Sequence, residues 1–193
     1  MSSADDIYNF VYRGQLSEEA LDRAGRKSRR TAEIDHEHFA KLLSLDALDE
    51  QHVDSARAMA TVYTAVAAFE NSVREMIANT LREEFGENWW NDRVSKTIRD
   101  QAERRRKEEE EVRWHTQRGT DPINYTMLPN LKNIIRNNQE HFEPFIHDID
   151  WAANIIDIVD RSRNVIMHSG TLSQRDIARL GTFIRDWSSQ VSI

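Results

Sequence analysis

At 193 residues the chain is long enough to close one full-sized core and too short for two. Hydrophobic residues make up 39% and charged residues 31%, with 6 Gly and 3 Pro, which argues against a turn-rich β fold and for an all-α antiparallel helical bundle. The absence of Cys excludes a disulfide framework, a thiolate metal site and a thiol nucleophile, and the net charge of −7 argues against broad attraction to nucleic acid while leaving room for a local basic site.

No apolar run approaches membrane-spanning length, and Met1-Ser-Ser-Ala-Asp-Asp has neither the basic start nor the apolar stretch of a signal peptide. The expected location is cytoplasmic, with no membrane partner. Residues 1–46 read as an N-terminal helical extension and residues 47–193 as the bundle. Within the extension, Gly14 interrupts a short helix and Ser17 caps the next segment. The cluster Arg26-Lys27-Ser28-Arg29-Arg30 reads as a solvated helix face. His36 and His38 diverge by about 200° on a helix, so they do not chelate from one face, and no metal or other cofactor is expected.

From about Leu48 to Phe85 neither Gly nor Pro occurs, and Tyr63, Val66, Glu70, Val73, Ile77 and Leu81 form one helical stripe ending at Gly86. Glu70 stands in the middle of that apolar stripe with Arg74 one turn later. A buried carboxylate needs a cation, so two readings stay open: a simple Glu70–Arg74 helical pair, or a carboxylate that orients an arginine of a functional site. Trp89-Trp90 follows as a pair of core anchors.

In Arg104-Arg105-Arg106-Lys107-Glu108-Glu109-Glu110-Glu111 each base has an acid four positions on, which predicts a charge-laced, exposed helix. Arg118 to Pro122 reads as a turn, and Leu128, Leu131, Ile134 and Ile135 predict an amphipathic helix. Phe142, Phe145, Ile146 and Ile149 fill the connection to an apolar helix beginning near Trp151. Ser169-Gly170 breaks that helix, and Ser173 with Asp176 makes a capping box for a last one buried through Ile177, Leu180, Ile184 and Trp187.

The Trp151 helix carries the candidate chemistry. Its apolar face is Ile155, Ile158, Val159, Ser162 and Ile166, while Asp157, Arg161, Asn164 and His168 gather on the opposite side. Histidine exchanges protons near neutral pH and arginine holds a phosphate and offsets charge developing on it, which together suffice for metal-free RNA cleavage. On a straight helix Arg163 and His168 lie about 140° apart, whereas Arg161 falls within about 20° of His168. A helix end near His168 would bring Arg163 into play. The competing reading of this patch is a polar outer face, with Arg161 and Arg163 tied to Asp157 or Asp160.

Arg163-Asn164-Val-Ile-Met-His168, late in an apolar helix and followed by one last helix, resembles the R-N-x-x-x-H signature of the HEPN superfamily, and the likeness covers about residues 55–190. Glu70-Asn-Ser-Val-Arg74 and Gly86-Glu-Asn-Trp89-Trp90 are similar to one branch of it. Arg136-Asn137-Asn-Gln-Glu-His141 satisfies the same pattern, but at the polar end of its helix, and Arg30 with His36 satisfies a looser one. The resemblance implies a compact helical bundle that pairs into a homodimer and cleaves RNA without metal at a composite cleft, leaving a 2′,3′-cyclic phosphate. It implies Arg163 as phosphate clamp, Asn164 as polar helper and His168 as general acid and base, with Arg161 the alternative clamp and Glu70 and Arg74 supporting. Such domains recur as toxins and as antiviral or abortive-infection effectors, with an antitoxin or regulatory protein as partner. They also occur as inactive modules that bind RNA or protein, which is the alternative expectation.

Overall fold

The computed structural model describes residues 36–191, so the basic cluster at 26–30 and the first part of the predicted extension lie outside the described residues. The chain divides into two units, Met1–Leu48 and Asp49–Ile193. In the first, α1 (His36–Leu42) buries no residue and carries an exposed Lys41–Glu37 pair one turn apart, with a 3-10 turn at Leu45–Ala47 after it.

The second unit is an all-α bundle, and among its described residues there is no strand. Its central member is α2 (Glu50–Phe85), 36 residues and roughly 54 Å long at 1.5 Å per residue. Asp49 opens it by accepting the Gln51 and His52 N–H groups, and Gly86 closes it at φ 69, a conformation that favours glycine. Val66, Val73, Ile77 and Leu81 lie at the centre of the core, whereas Tyr63, expected on the same stripe, is half exposed and opens onto a concavity. Helix α3 (Trp89–Arg93) buries Trp89, and Trp90 meets it edge to face. Helix α4 (Lys96–Glu110) follows, then a 3-10 turn at Pro122–Tyr125 capped by Asp121, α5 (Leu128–Asn137), the short α6 (Gln139–Phe142), α7 (Ile149–Met167) and α8 (Gln174–Val191).

Helix α7 packs on α2, α5 and α8, so α5 and α7 together cover the apolar stripe of α2. Its rotation is fixed by apolar burial of Ile155, Ile156 and Val159, and by Lys132 Nζ of α5 reaching Asp157 Oδ1 at 2.6 Å. Trp187 of α8 stacks on Trp151 and meets Phe69 edge to face, which joins α7, α8 and α2. Ser173 caps α8 as its sequence predicts: its Oγ accepts the Asp176 N–H and donates to the Asp176 carboxylate.

The end of α7 differs from the expected glycine break. Ser169, not Gly170, takes the left-handed conformation at φ 61, and the Gly170 N–H bonds the Val165 carbonyl at 2.8 Å while the Ser169 N–H bonds that of Ile166. Gly170 serves close approach instead, since a Cβ there would lie 2.8 Å from both the Val165 carbonyl oxygen and its Cγ1. The turn that follows is held over α2 by Ser55 Oγ and Thr171 Oγ1 at 3.2 Å and by the Leu172 N–H on Met59 Sδ. No helix among the described residues is long and apolar enough to cross a membrane.

Candidate functional site: an arginine-lined cavity beside the end of helix α7

Glu70 is the buried carboxylate of α2, and both its oxygens face arginines. Oε1 accepts from Arg74 Nη2, one turn on, and Oε2 lies 3.5 Å from Nε of Arg163 on α7. Burial without such partners costs several kcal/mol, on the order that forces a carboxyl to protonate, so Glu70 fixes two cations and they fix it. Arg74 also donates to the Thr126 carbonyl at 3.0 Å and to Asn71 Oδ1 at 2.9 Å. Glu70 therefore pairs with Arg74 of its own helix and also lies against Arg163 of α7.

These groups form one wall of a concavity of about 510 Å3. The other wall brings Arg105 from α4 and Arg118 from the segment after it. Arg105 departs from the predicted exposed charge ladder. Arg104 and Arg106 do face Glu108 and Glu110, but Glu109 is taken by Arg118, whose Nε lies 2.5 Å from Oε1. Arg105, lacking its acid, turns inward and donates to the Tyr125 carbonyl at 2.8 Å. Gly119 at φ 145 lets the chain turn directly after Arg118, and the Tyr125 hydroxyl donates to the Gly119 carbonyl at 2.9 Å.

The charged side chains that line the concavity are Arg74, Arg105, Arg118 and Arg163 against Glu70 alone. Burial, then the neighbouring Arg118 and Arg104 charges, pulls the Arg105 guanidinium below its ordinary pKa, the direction expected where positive charge is crowded. A chain of net charge −7 thus concentrates cations around one hollow. Guanidinium groups in that setting are suited to the oxygens of a phosphate, which they bind through paired N–H donors.

The residues singled out on α7 fall into two groups. Arg163 is half-buried in the cavity with Glu70 and Arg74. Arg161, Asn164 and His168 are exposed and do not line it. Asn164 donates to Asp160 Oδ2 at 3.4 Å, and Arg161 has no ion-pair partner among the described residues. The expected tie of the two arginines to Asp157 or Asp160 is therefore replaced: Asp157 takes Lys132, Asp160 takes Asn164, and Arg163 takes Glu70. His168 sits where α7 ends, its N–H on the Asn164 carbonyl at 3.2 Å. Met167 just before it, and Tyr63 opposite on α2, line the cavity rim and are each about half exposed.

The second copy of the motif is dismantled. Arg136 pairs with Asp150 at 2.6 Å, while His141 is clamped by Glu84 on Nδ1 at 2.6 Å and by Arg93 on Nε2 at 2.7 Å, with its ring edge-on to Phe85. Those contacts staple the end of α2 to α3 and α6 and leave neither ring nitrogen free. Arg105 and Arg118 are the site residues the sequence reading missed. Their signal was weak: one arginine among four consecutive bases, and one read as part of a turn.

The fold and cavity define an all-α helical bundle with a cationic hollow. Comparison of the chain with protein-family models, curated proteins and solved structures found no match.

Proposed function

We propose that the protein is a metal-independent endoribonuclease of the HEPN type that acts as a homodimer. The observation that carries this reading is the anchoring of Arg163, the arginine of Arg163-Asn164-Val-Ile-Met-His168, by buried Glu70 at a cavity with three further arginines. Arg163 holds the scissile phosphate of an RNA strand, and its charge offsets that accumulating on the equatorial oxygens. An imidazole removes the proton of a ribose 2′-OH, the 2′-oxygen bonds to phosphorus, and the bond from phosphorus to the 5′-oxygen breaks as that oxygen takes a proton. The products are a 2′,3′-cyclic phosphate and a free 5′-OH. His168 supplies one imidazole, and its exposed place at the end of α7 suits a site completed by a second copy, whose His168 takes the opposite role. Half-exposed Tyr63 and Met167 beside the cavity supply apolar surface for that pairing. In this reading the protein is a toxin or antiviral effector, restrained by an antitoxin or regulatory partner.

A second reading has a specific observation in its favour: His168 does not line the cavity that holds Arg163. A catalytically silent module that binds RNA or a protein partner fits that separation. Incubation of RNA with the protein in EDTA decides between them. The enzyme reading expects cleavage that leaves a cyclic phosphate and disappears in His168→Ala; no cleavage by wild type at any concentration sinks it. Separate Arg161→Ala and Arg163→Ala variants then assign the clamp, with the larger loss expected for Arg163.

A further inference from the structure

Among the tryptophans, Trp89 and Trp187 are 3% exposed, while Trp114 is 86% exposed. Trp114 stands at the tip of a loop that the chain builds with care. Helix α4 ends into a turn in which the Val112 N–H bonds the Glu109 carbonyl and the His115 N–H bonds that of Val112. At the base of the loop the Glu109 carboxylate takes both the Arg118 N–H, at 3.2 Å, and the Arg118 Nε, at 2.5 Å. The base is thus closed by one ion pair and one backbone hydrogen bond to the same carboxylate, and the tip carries a large aromatic ring into water. Exposed Arg113 precedes it, and the His115 ring meets it edge to face at 5.7 Å.

Where the loop returns, it delivers Arg118 into the cavity with Arg105. Trp114 precedes Arg118 by four residues, so their Cα atoms lie at most about 14 Å apart along the chain. The acidic run leading into the loop is largely neutralised, Glu108 by Arg104, Glu109 by Arg118 and Glu110 by Arg106. An exposed aromatic face with guanidinium groups within about two or three nucleotides of it is what an unpaired strand requires: phosphates on the cations and a base on the ring. A duplex keeps its bases stacked inside and offers the ring nothing, and an acidic peptide uses the cations but not the ring.

We infer that Trp114, Arg105 and Arg118 form a binding track for single-stranded RNA, with a base stacked on Trp114 and neighbouring phosphates held by the two arginines. The inference rests on the proposed RNA reading and extends it to residues outside the R-N-x-x-x-H motif. The track places the strand so that it passes from the loop into the cavity toward Arg163.

The test uses the full chain and a 2′-O-methyl RNA of about 12 nucleotides, which binds but has no 2′-OH to attack. Tryptophan emission is followed during titration at low salt. Trp114 is the tryptophan most open to water, so wild type is expected to lose emission as the oligonucleotide stacks. Trp114→Ala should weaken affinity about tenfold, within the range for one stacked base, and Trp114→Phe should restore part of it. Arg118→Gln should lower the slope of log affinity against log salt by roughly 0.7, the value for one phosphate of a single strand. Trp114→Ala alters an exposed tip and leaves the fold intact, so its result stands even if Arg118→Gln proves unstable.

Unchanged affinity in Trp114→Ala, no binding by wild type, or complete displacement by polyglutamate with Trp114→Ala still silent would each overturn the inference. Failure of cleavage alone would not. An oligonucleotide bound through Trp114 by a protein that cuts nothing keeps the track and discards the nuclease, whereas cleavage by a Trp114→Ala variant with wild-type affinity does the reverse.

Discussion

Replacing Glu70 with Gln removes the one carboxylate among the arginines of the cavity and nearly nothing else. Oε2 of Glu70 lies 3.5 Å from Arg163 Nε, and Oε1 is closer still to Arg74. At an effective dielectric of about 20 the Arg163 contact alone is worth roughly 4–5 kcal/mol of Coulomb energy, before the cost of desolvation is subtracted. The amide keeps one acceptor oxygen for Arg74, so we expect a net loss of about 2–4 kcal/mol, toward the lower end of the roughly 3–5 kcal/mol for stripping a partner from a fully buried pair. For a chain of this size that is a fall of about 5–15 °C in Tm, read by circular dichroism or calorimetry. The variant also strips the counter-charge from Arg74 and Arg163, so millimolar inorganic phosphate should raise its Tm more than that of wild type, by mass action on the folded state. A Tm within about 1 °C of wild type, or an equal phosphate effect on both proteins, would refute the view that Glu70 balances the cavity.

Three further outcomes are expected. His141→Ala should cost about 2 kcal/mol, visible in the urea midpoint, because it cuts the Glu84 and Arg93 contacts and the Phe85 packing; a silent substitution would mean that this staple carries no stability. Ser169→Gly should stabilise by about 0.5–1 kcal/mol by relieving φ 61, while Gly170→Ala should destabilise through its clash with Val165, and reversal of the two signs would contradict the helix ending described above. Glu103 is held below the ordinary carboxylate pKa by its hydrogen bond from Arg106 and by the Arg106 and Lys107 charges, and Glu140 by its own backbone N–H, then His141 and Arg93. Their stabilisation is present above the unfolded carboxylate value and is lost as pH falls through the lower folded one, so stability should decline on that acid limb and Glu103→Gln should flatten it; stability that rises there would exclude the assignment.

Most of the scaffold could be read before any coordinates because its signals are local. A run without Gly or Pro from Leu48 to Phe85, the stop at Gly86 and the Ser173–Asp176 cap each lie within a few residues of what they specify. Glu70 in an apolar stripe announced a buried cation, and Arg74 was within reach. Arg163 was not, because a helical wheel relates residues of one helix and says nothing of what the neighbouring helix offers. The wheel set Arg161 near His168, while packing on α2 gave Arg163 the carboxylate. The charge ladder of α4 misled for the same reason: Arg105 and Glu109 have the right spacing, but Arg118, beyond a loop, competes for Glu109 and turns Arg105 inward. Tyr63, on the apolar stripe of α2, is exposed beside the cavity that it lines with Met167 of α7, and no pattern within α2 encodes that hollow.

The cavity draws its arginines from α2, from α4 with the loop that follows, and from α7, three stretches well separated along the chain. During synthesis the first two emerge from the ribosome long before the third, and contacts between distant segments form late. Until α7 docks, Glu70 faces Arg74 alone and the hollow lacks the wall that carries Arg163. The complete cationic surface therefore exists only once α7 has been made and has docked, and a polypeptide that stops before α7 holds the Trp114 loop without Arg163.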